Sequence, residues 1–142
     1  SGLEDQRKSA VFQEDRLCEN VGAVSNLRLV NPGLSRREAE AMLTALGLSD
    51  SLHQPVRDFS GGMKRRTAIL RALAADYDVL LADEPFKGLD EETKRRVMEY
   101  FRGKTAGKTV ILVTHEASEA EFLGGELLRL PLWENAGKGE TI

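Results

Sequence analysis

The stretch Val79-Leu80-Leu81-Ala82-Asp83-Glu84-Pro85 constrains the fold more than any other part of the chain. Four apolar residues run into two adjacent carboxylates, and a proline then ends the extended run. Delivering acids at the end of a buried strand is costly unless a cation or a proton transfer uses them. In open α/β sheets, ligands gather beyond the carboxyl ends of the strands. Asp83 is therefore a candidate Mg²⁺ partner and Glu84 a candidate base for an attacking water. The competing reading is a strand that ends in a solvated acidic turn.

The chain has 142 residues, 41% of them hydrophobic and 30% charged, enough for one domain with a real core and too apolar for a disordered chain. A net charge of -3 and a pI near 5.5 give no case for nucleic-acid binding. The single cysteine, Cys18, excludes an internal disulfide framework and fits a reducing compartment. No apolar run approaches the roughly 18 residues needed to span a bilayer, and no signal peptide is visible, so any membrane link is expected through a partner. Because the first residue is Ser1, the chain is expected to be processed, tagged or cut from something longer.

Ahead of the acid stretch, Ser9 to Gln13 reads as a short strand that hands a polar amide to a loop. From Glu19 to Ala75 the pattern turns helical. Val21, Val24, Leu27 and Val30 recur at helical spacing until Asn31-Pro32-Gly33. Ser35 with Glu38 forms a capping box for a helix that buries Ala39, Met42, Leu43 and Leu46 and ends at Gly47. Leu48 to Phe59 is a connector, in which His53 lacks ligand-spaced partners and reads as a surface residue. Ser60-Gly61-Gly62-Met63 then opens a third helix, and its bare first-turn amides suit an anion. Lys64, Arg65 and Arg66 lie where the helix dipole disfavours cations, which makes sense if an anion visits; a basic surface face is the plainer alternative.

Beyond the acids, Gly88-Leu89-Asp90 is a turn, and Asp90 caps a helix over 91–102 with Val97, Met98 and Phe101 inward. Val110 to Thr114 reads as a second buried strand leading to His115, Ala117 to Leu123 as a short helix, and Leu127 to Leu130 as a last strand at an edge, before Trp133 and a Gly-rich tail. Continuous apolar strands alternating with helices predict a mostly parallel sheet. Right-handed connections would then bring Gln13, the acid pair and His115 to one edge.

Five of these segments, in this order, resemble the ATPase subunit of ATP-binding cassette (ABC) transporters. Val11 to Leu17 is similar to the family's Q-loop, Phe59 to Met63 to its signature motif, and Val79 to Glu84 to Walker B with the catalytic glutamate. Gly88-Leu89-Asp90 is similar to the D-loop and Thr114-His115 to the switch histidine. The Q-loop and signature look most like importers of the nitrate, sulfonate and taurine group. Met63, Phe59, Ala82 and Lys87-Gly88 depart mildly from the family pattern, and none of these departures removes a catalytic group.

The resemblance implies a fold: an α/β, partial P-loop NTPase core with a parallel sheet and an inserted helical subdomain. Residues 1–18 and 76–142 would form the core and 19–75 the signature subdomain. It implies ATP and Mg²⁺ as ligands. Asp83 and Gln13 would hold the metal, and Glu84, Gln13 and His115 would serve hydrolysis. Ser60, Gly61, Gly62 and Met63 would reach nucleotide on a second subunit, and Asp90 would communicate across that dimer. Partners would be a second ABC ATPase domain and a transmembrane permease, with the chain at the cytoplasmic face of the membrane. Neither Gly103-Lys104-Thr105 nor Gly107-Lys108-Thr109 has a glycine five residues ahead or a preceding strand, so both read as turns.

From this follows the expectation of a carboxyl-terminal portion lacking the Walker A region. Such a piece would bind ATP weakly and not turn it over alone, and its last strand would lose its neighbour and so pack differently, pair with another chain or be completed by a separate amino-terminal piece. A truncated cassette acting as a dimerisation module is the alternative, and a soluble, non-transport ABC protein a third.

Overall fold

The computed structural model describes residues 4–131. Strand β1 (Lys8–Val11) is followed by helices α1 (Ala23–Val30), α2 (Arg36–Ala45) and α3 (Gly61–Ala74). Then come β2 (Val79–Asp83), α4 (Glu91–Lys104), β3 (Thr109–Val113) and α5 (Ala117–Leu123). Two 3-10 turns, Ser49–Ser51 and Val56–Asp58, carry the connector between α2 and α3.

Local chemistry sets the helix ends. The Ser35 hydroxyl accepts from the Glu38 amide at 3.0 Å while the Glu38 carboxylate accepts from the Ser35 amide at 2.8 Å. Gly47 closes α2 in the left-handed region at φ +78°, where a side chain would be strained. Asp90 caps α4 by accepting from the Thr93 amide at 2.9 Å and the Thr93 hydroxyl at 2.8 Å. Acids in the first turn of α4 and bases in its last turn match the helix dipole. Gly103-Lys104 ends α4 and Lys108-Thr109 leads into β3, so both Gly-Lys-Thr triplets lie in this helix-to-strand connection.

The three strands pair in parallel in the order β1–β2–β3, with Val11 beside Ala82 and Asp83 beside Val113. One continuous core joins the helical region to the sheet: Leu27, Leu43, Val56, Ile69 and Leu70 meet Val11, Leu80, Val97 and Phe101. Phe86, just past β2, packs edge-on to Phe101 with ring centroids 5.4 Å apart. This is a parallel α/β core with inserted helices, in line with the sequence reading.

Two expectations fail. Leu127 to Leu130 forms no strand, and Leu128 and Leu130 are 84% and 85% exposed. Among the described residues nothing pairs with that run, and an apolar tetrapeptide without a partner strand cannot form a ladder. Trp133 lies outside the described residues. The apolar strands are also not buried on both faces. Leu80, Ala82, Val110 and Leu112 pack into the core, but Leu81, Ile111 and Val113 on the opposite face are exposed.

Candidate active site

Strand register assembles the site. In parallel strands, residues beyond matched partners emerge side by side. Because Val11 pairs with Ala82, Gln13 emerges beside the acid pair, and its side-chain amide donates to Asp83 Oδ1 at 3.3 Å. Because Asp83 pairs with Val113, the ladder runs one residue further, with the Glu84 amide donating to the Val113 carbonyl at 2.8 Å. His115 then lies next to Glu84, and its Nδ1 contacts Glu84 Oε1. The carboxylate is nearly buried and the imidazole almost fully exposed.

Glu84 adopts φ +47°, a left-handed conformation that non-glycine residues seldom hold. The turn opens onto a pocket of about 250 Å³ lined by Gln13, Asp15, Gly61, Gly62, Arg65, Glu84, Lys87 and Gly88. The glycines that open α3 therefore border the same depression as Gln13 and Glu84. Ser60 caps α3 by accepting from the Met63 amide at 3.2 Å, and both Ser60 and Gly61 are exposed. Asp90 is spent on its own helix cap, which holds its carboxyl below the usual range through the Thr93 amide and hydroxyl.

The three cations at the start of α3 do not await an anion; each has a protein acceptor. Lys64 reaches Glu19 at 3.0 Å, and Arg66 donates to the carbonyls of Leu46 at 2.8 Å and Gly62 at 3.2 Å. Arg65 is 5% exposed and forms a clamp. Its guanidinium donates to the carbonyls of Phe12 at 2.5 Å, Glu84 at 2.7 Å and Pro85 at 2.8 Å, and pairs with Asp15 at 3.2 Å. Arg71 adds bonds to the carbonyls of Asp15 at 3.0 Å and Arg16 at 2.7 Å. Buried Asn26 closes the same loop by bonding both backbone groups of Cys18. The loop after β1 and the turn after β2 are thus held to α3 by side chains to which the sequence reading gave no such role.

Mg²⁺ typically takes one or two protein carboxylates and completes its shell with water and phosphate oxygens. Among the described residues no group of three or more His, Cys, Asp or Glu forms a metal cage. Asp83 at the strand end, with the Gln13 amide alongside, fits the sparser arrangement.

The parallel sheet with inserted helices that brings an acid pair, an amide and an imidazole to one edge has the fold of a P-loop NTPase core. The family model for the ABC transporter matches residues 3–87, and the chain belongs to that family. It is 36% identical over 143 residues to the taurine import ATP-binding protein TauB of Yersinia pestis bv. Antiqua, a match covering 95% of this chain and 54% of that protein. It is 40% identical over 117 residues to the macrolide export ATP-binding/permease protein MacB 2 of Aeromonas hydrophila, covering 78% of this chain and 18% of that one. A dimeric, post-hydrolysis ATP-binding cassette bound to ADP and Pi superposes with a TM-score of 0.71 at 30% identity, covering 82% of this chain and 55% of that one. The chain spans about half the length of the taurine import proteins it matches.

These findings correct the fragment reading. The family match begins at residue 3 and takes in β1, which is a full member of the parallel sheet beside the acid strand. The expectations of a carboxyl-terminal portion without Walker A, of a missing amino-terminal segment as a partner, and of a chain inactive on that account or serving only as a truncated module are withdrawn.

Proposed function

We propose that this chain provides the hydrolytic face of an ABC-importer ATPase that turns over ATP with Mg²⁺ to drive solute through a separate permease. The observation that carries the reading is the Glu84 turn, which fixes one carboxylate between His115 and a pocket lined by Gln13 and by Gly61 and Gly62. In this reading Asp83 and Gln13 hold Mg²⁺, which neutralises phosphate charge when bound. Glu84 orients the attacking water and accepts its proton, and His115 steadies Glu84 and donates toward the terminal phosphate. Ser60 to Met63 present a capped helix start, exposed at Ser60 and Gly61, to nucleotide on a second copy, and Asp90 lies at that junction. Residues 19–75 act as the signature subdomain and the remainder as the α/β core.

The dimeric relative supports a two-cassette arrangement. The taurine import relatives cover 85% to 95% of this chain and two export relatives 78% and 82%, which supports the importer reading. Among the described residues no helix is long and apolar enough to cross a membrane, which suits attachment to the cytoplasmic face through the permease. The test is phosphate release by the assembled protein before and after Glu84→Gln. Turnover is expected to fall about 10²- to 10⁴-fold, the usual contribution of a general base, with nucleotide still bound. A variant that hydrolyses ATP at the parent rate would sink the assignment.

A further inference from the structure

Lys94 is the fourth residue of α4, where the helix dipole disfavours a cation, yet its side chain is only 11% exposed. Its ammonium donates to Glu119 at 2.9 Å and to Glu116 at 2.6 Å. Glu119, 4% exposed, also accepts from the Thr114 hydroxyl at 2.6 Å, and that hydroxyl accepts from the Glu116 amide at 3.0 Å. His115 sits between Thr114 and Glu116, so both of its neighbours are clamped while its own ring is 87% exposed. An exposed ring has little packing to select its rotamer, and the constraint must come through the backbone on either side. Burial lowers the Lys94 pKa, but the two carboxylates outweigh it and the net shift is upward, so the ammonium keeps its proton through the neutral range.

We propose that the buried Lys94–Glu119 pair is a positioning element: it holds the His115 turn so that the imidazole meets Glu84, and it ties that turn to the helix capped by Asp90. The inference rests on the proposed roles of Glu84 and His115. It adds a mechanical link, because a shift of α4 at its Asp90 end moves the Lys94 ammonium and with it the His115 backbone. A pair that served packing alone would be replaceable by apolar residues of similar volume at little or no cost, since buried ion pairs often contribute little net stability.

The test reads the imidazoles directly by carbon–proton correlation NMR at one fixed pH. The chain has 2 histidines, so the exposed His53 is an internal control. Glu84→Gln defines the displacement of the His115 resonance when the carboxylate contact is lost. Lys94→Met and Glu119→Gln are expected to displace it the same way, with His53 unmoved and Lys94→Arg restoring it. Hydrolysis by the assembled protein is expected to lose about tenfold in kcat with little change in KM, the signature of a lost transition-state interaction. Should a single variant fail to fold, the apolar pair Lys94→Met with Glu119→Leu removes both charges together and must still displace His115. An unmoved His115 resonance in a folded Lys94→Met or double variant overturns the proposal. If Glu84→Gln leaves His115 in place while Lys94→Met displaces it, the Glu84 contact is what fails and the positioning role stands.

Discussion

Replacing Arg65 with methionine keeps the aliphatic stem and removes the guanidinium. The three carbonyls of Phe12, Glu84 and Pro85, which accept at 2.5 to 2.8 Å, then lose their shared donor in a nearly dry site. A hydrogen bond to a charged group contributes about 1.5–3 kcal/mol, but bonds made by one group do not add, and some carbonyls regain water. The partly exposed Asp15 pairing is screened and counts for little. Deleting one partner from a buried charged network costs about 3–5 kcal/mol, and we take that as the expected loss. For a chain of this size each kcal/mol is worth about 2–4 °C, so the melting midpoint should fall by roughly 10–15 °C. Lysine supplies a point charge in place of a planar fork, so Arg65→Lys should recover no more than about half. Urea unfolding gives the free energy, and amide exchange gives its location. Exchange should quicken first at residues 12–16 and 84–86, ahead of α2. A loss below about 1 kcal/mol for Arg65→Met, less than a single charged bond, would refute the clamp.

Two further outcomes follow from local chemistry. Ser35→Ala removes one half of the capping box and frees the Glu38 amide; about 1 kcal/mol of stability should be lost, read as a midpoint shift in thermal unfolding. The Arg7 side chain and amide hold the Asp78 carboxyl down at about 2 against its ordinary 3.8. A depressed folded pKa contributes stability that is fully present above the unfolded value and is lost as pH falls through the folded one. The acid limb of the stability curve should therefore steepen between about pH 4 and pH 2, and Asp78→Asn should flatten that window alone. An unchanged acid limb in Asp78→Asn would show that Arg7 does not discriminate between the two protonation states.

Much of the fold was legible because its signals are local. Ser35 with Glu38, Ser60, Gly47 and Asp90 mark helix ends within a turn of themselves, and the structure uses each where the sequence places it. The site was legible as a list of residues but not as an arrangement. Nothing in the spacing states that Val11 pairs with Ala82 and Asp83 with Val113, and that register puts Gln13 on Asp83 and His115 on Glu84. Arg65 was misread because a glycine-rich helix start followed by cations suggests an anion. Its helical neighbours Ala68, Ile69 and Ala72, all buried, were the available sign that its side chain turns inward. Lys94 shares a face with Val97, Met98 and Phe101 in the same way. Leu127 to Leu130 failed for the opposite reason, since strand character in an apolar run depends on a neighbour that no local pattern supplies.

The left-handed turn at Glu84 explains how a strand of this composition can deliver a carboxylate at all. Strand side chains alternate, so an extended continuation would place residue 84 on the face of Leu80 and Ala82, both 0% exposed. A carboxylate there would enter the core without a partner and carry the full cost of desolvation. The residue before a proline is moreover biased to extended backbone, so the sequence Glu84-Pro85 works against the observed φ of +47°. Such a conformation costs about 1–3 kcal/mol and persists only where its surroundings over-determine it. Here they do: the Val113 carbonyl takes the Glu84 amide, Arg65 takes its carbonyl, and His115 takes its side chain. Those anchors come from α3 and from β3 with the turn that follows it, two segments that are separate in sequence and meet only in the folded chain. The strain is therefore affordable only when the site is assembled, and it turns Glu84 out of the core and into the pocket beside Gln13.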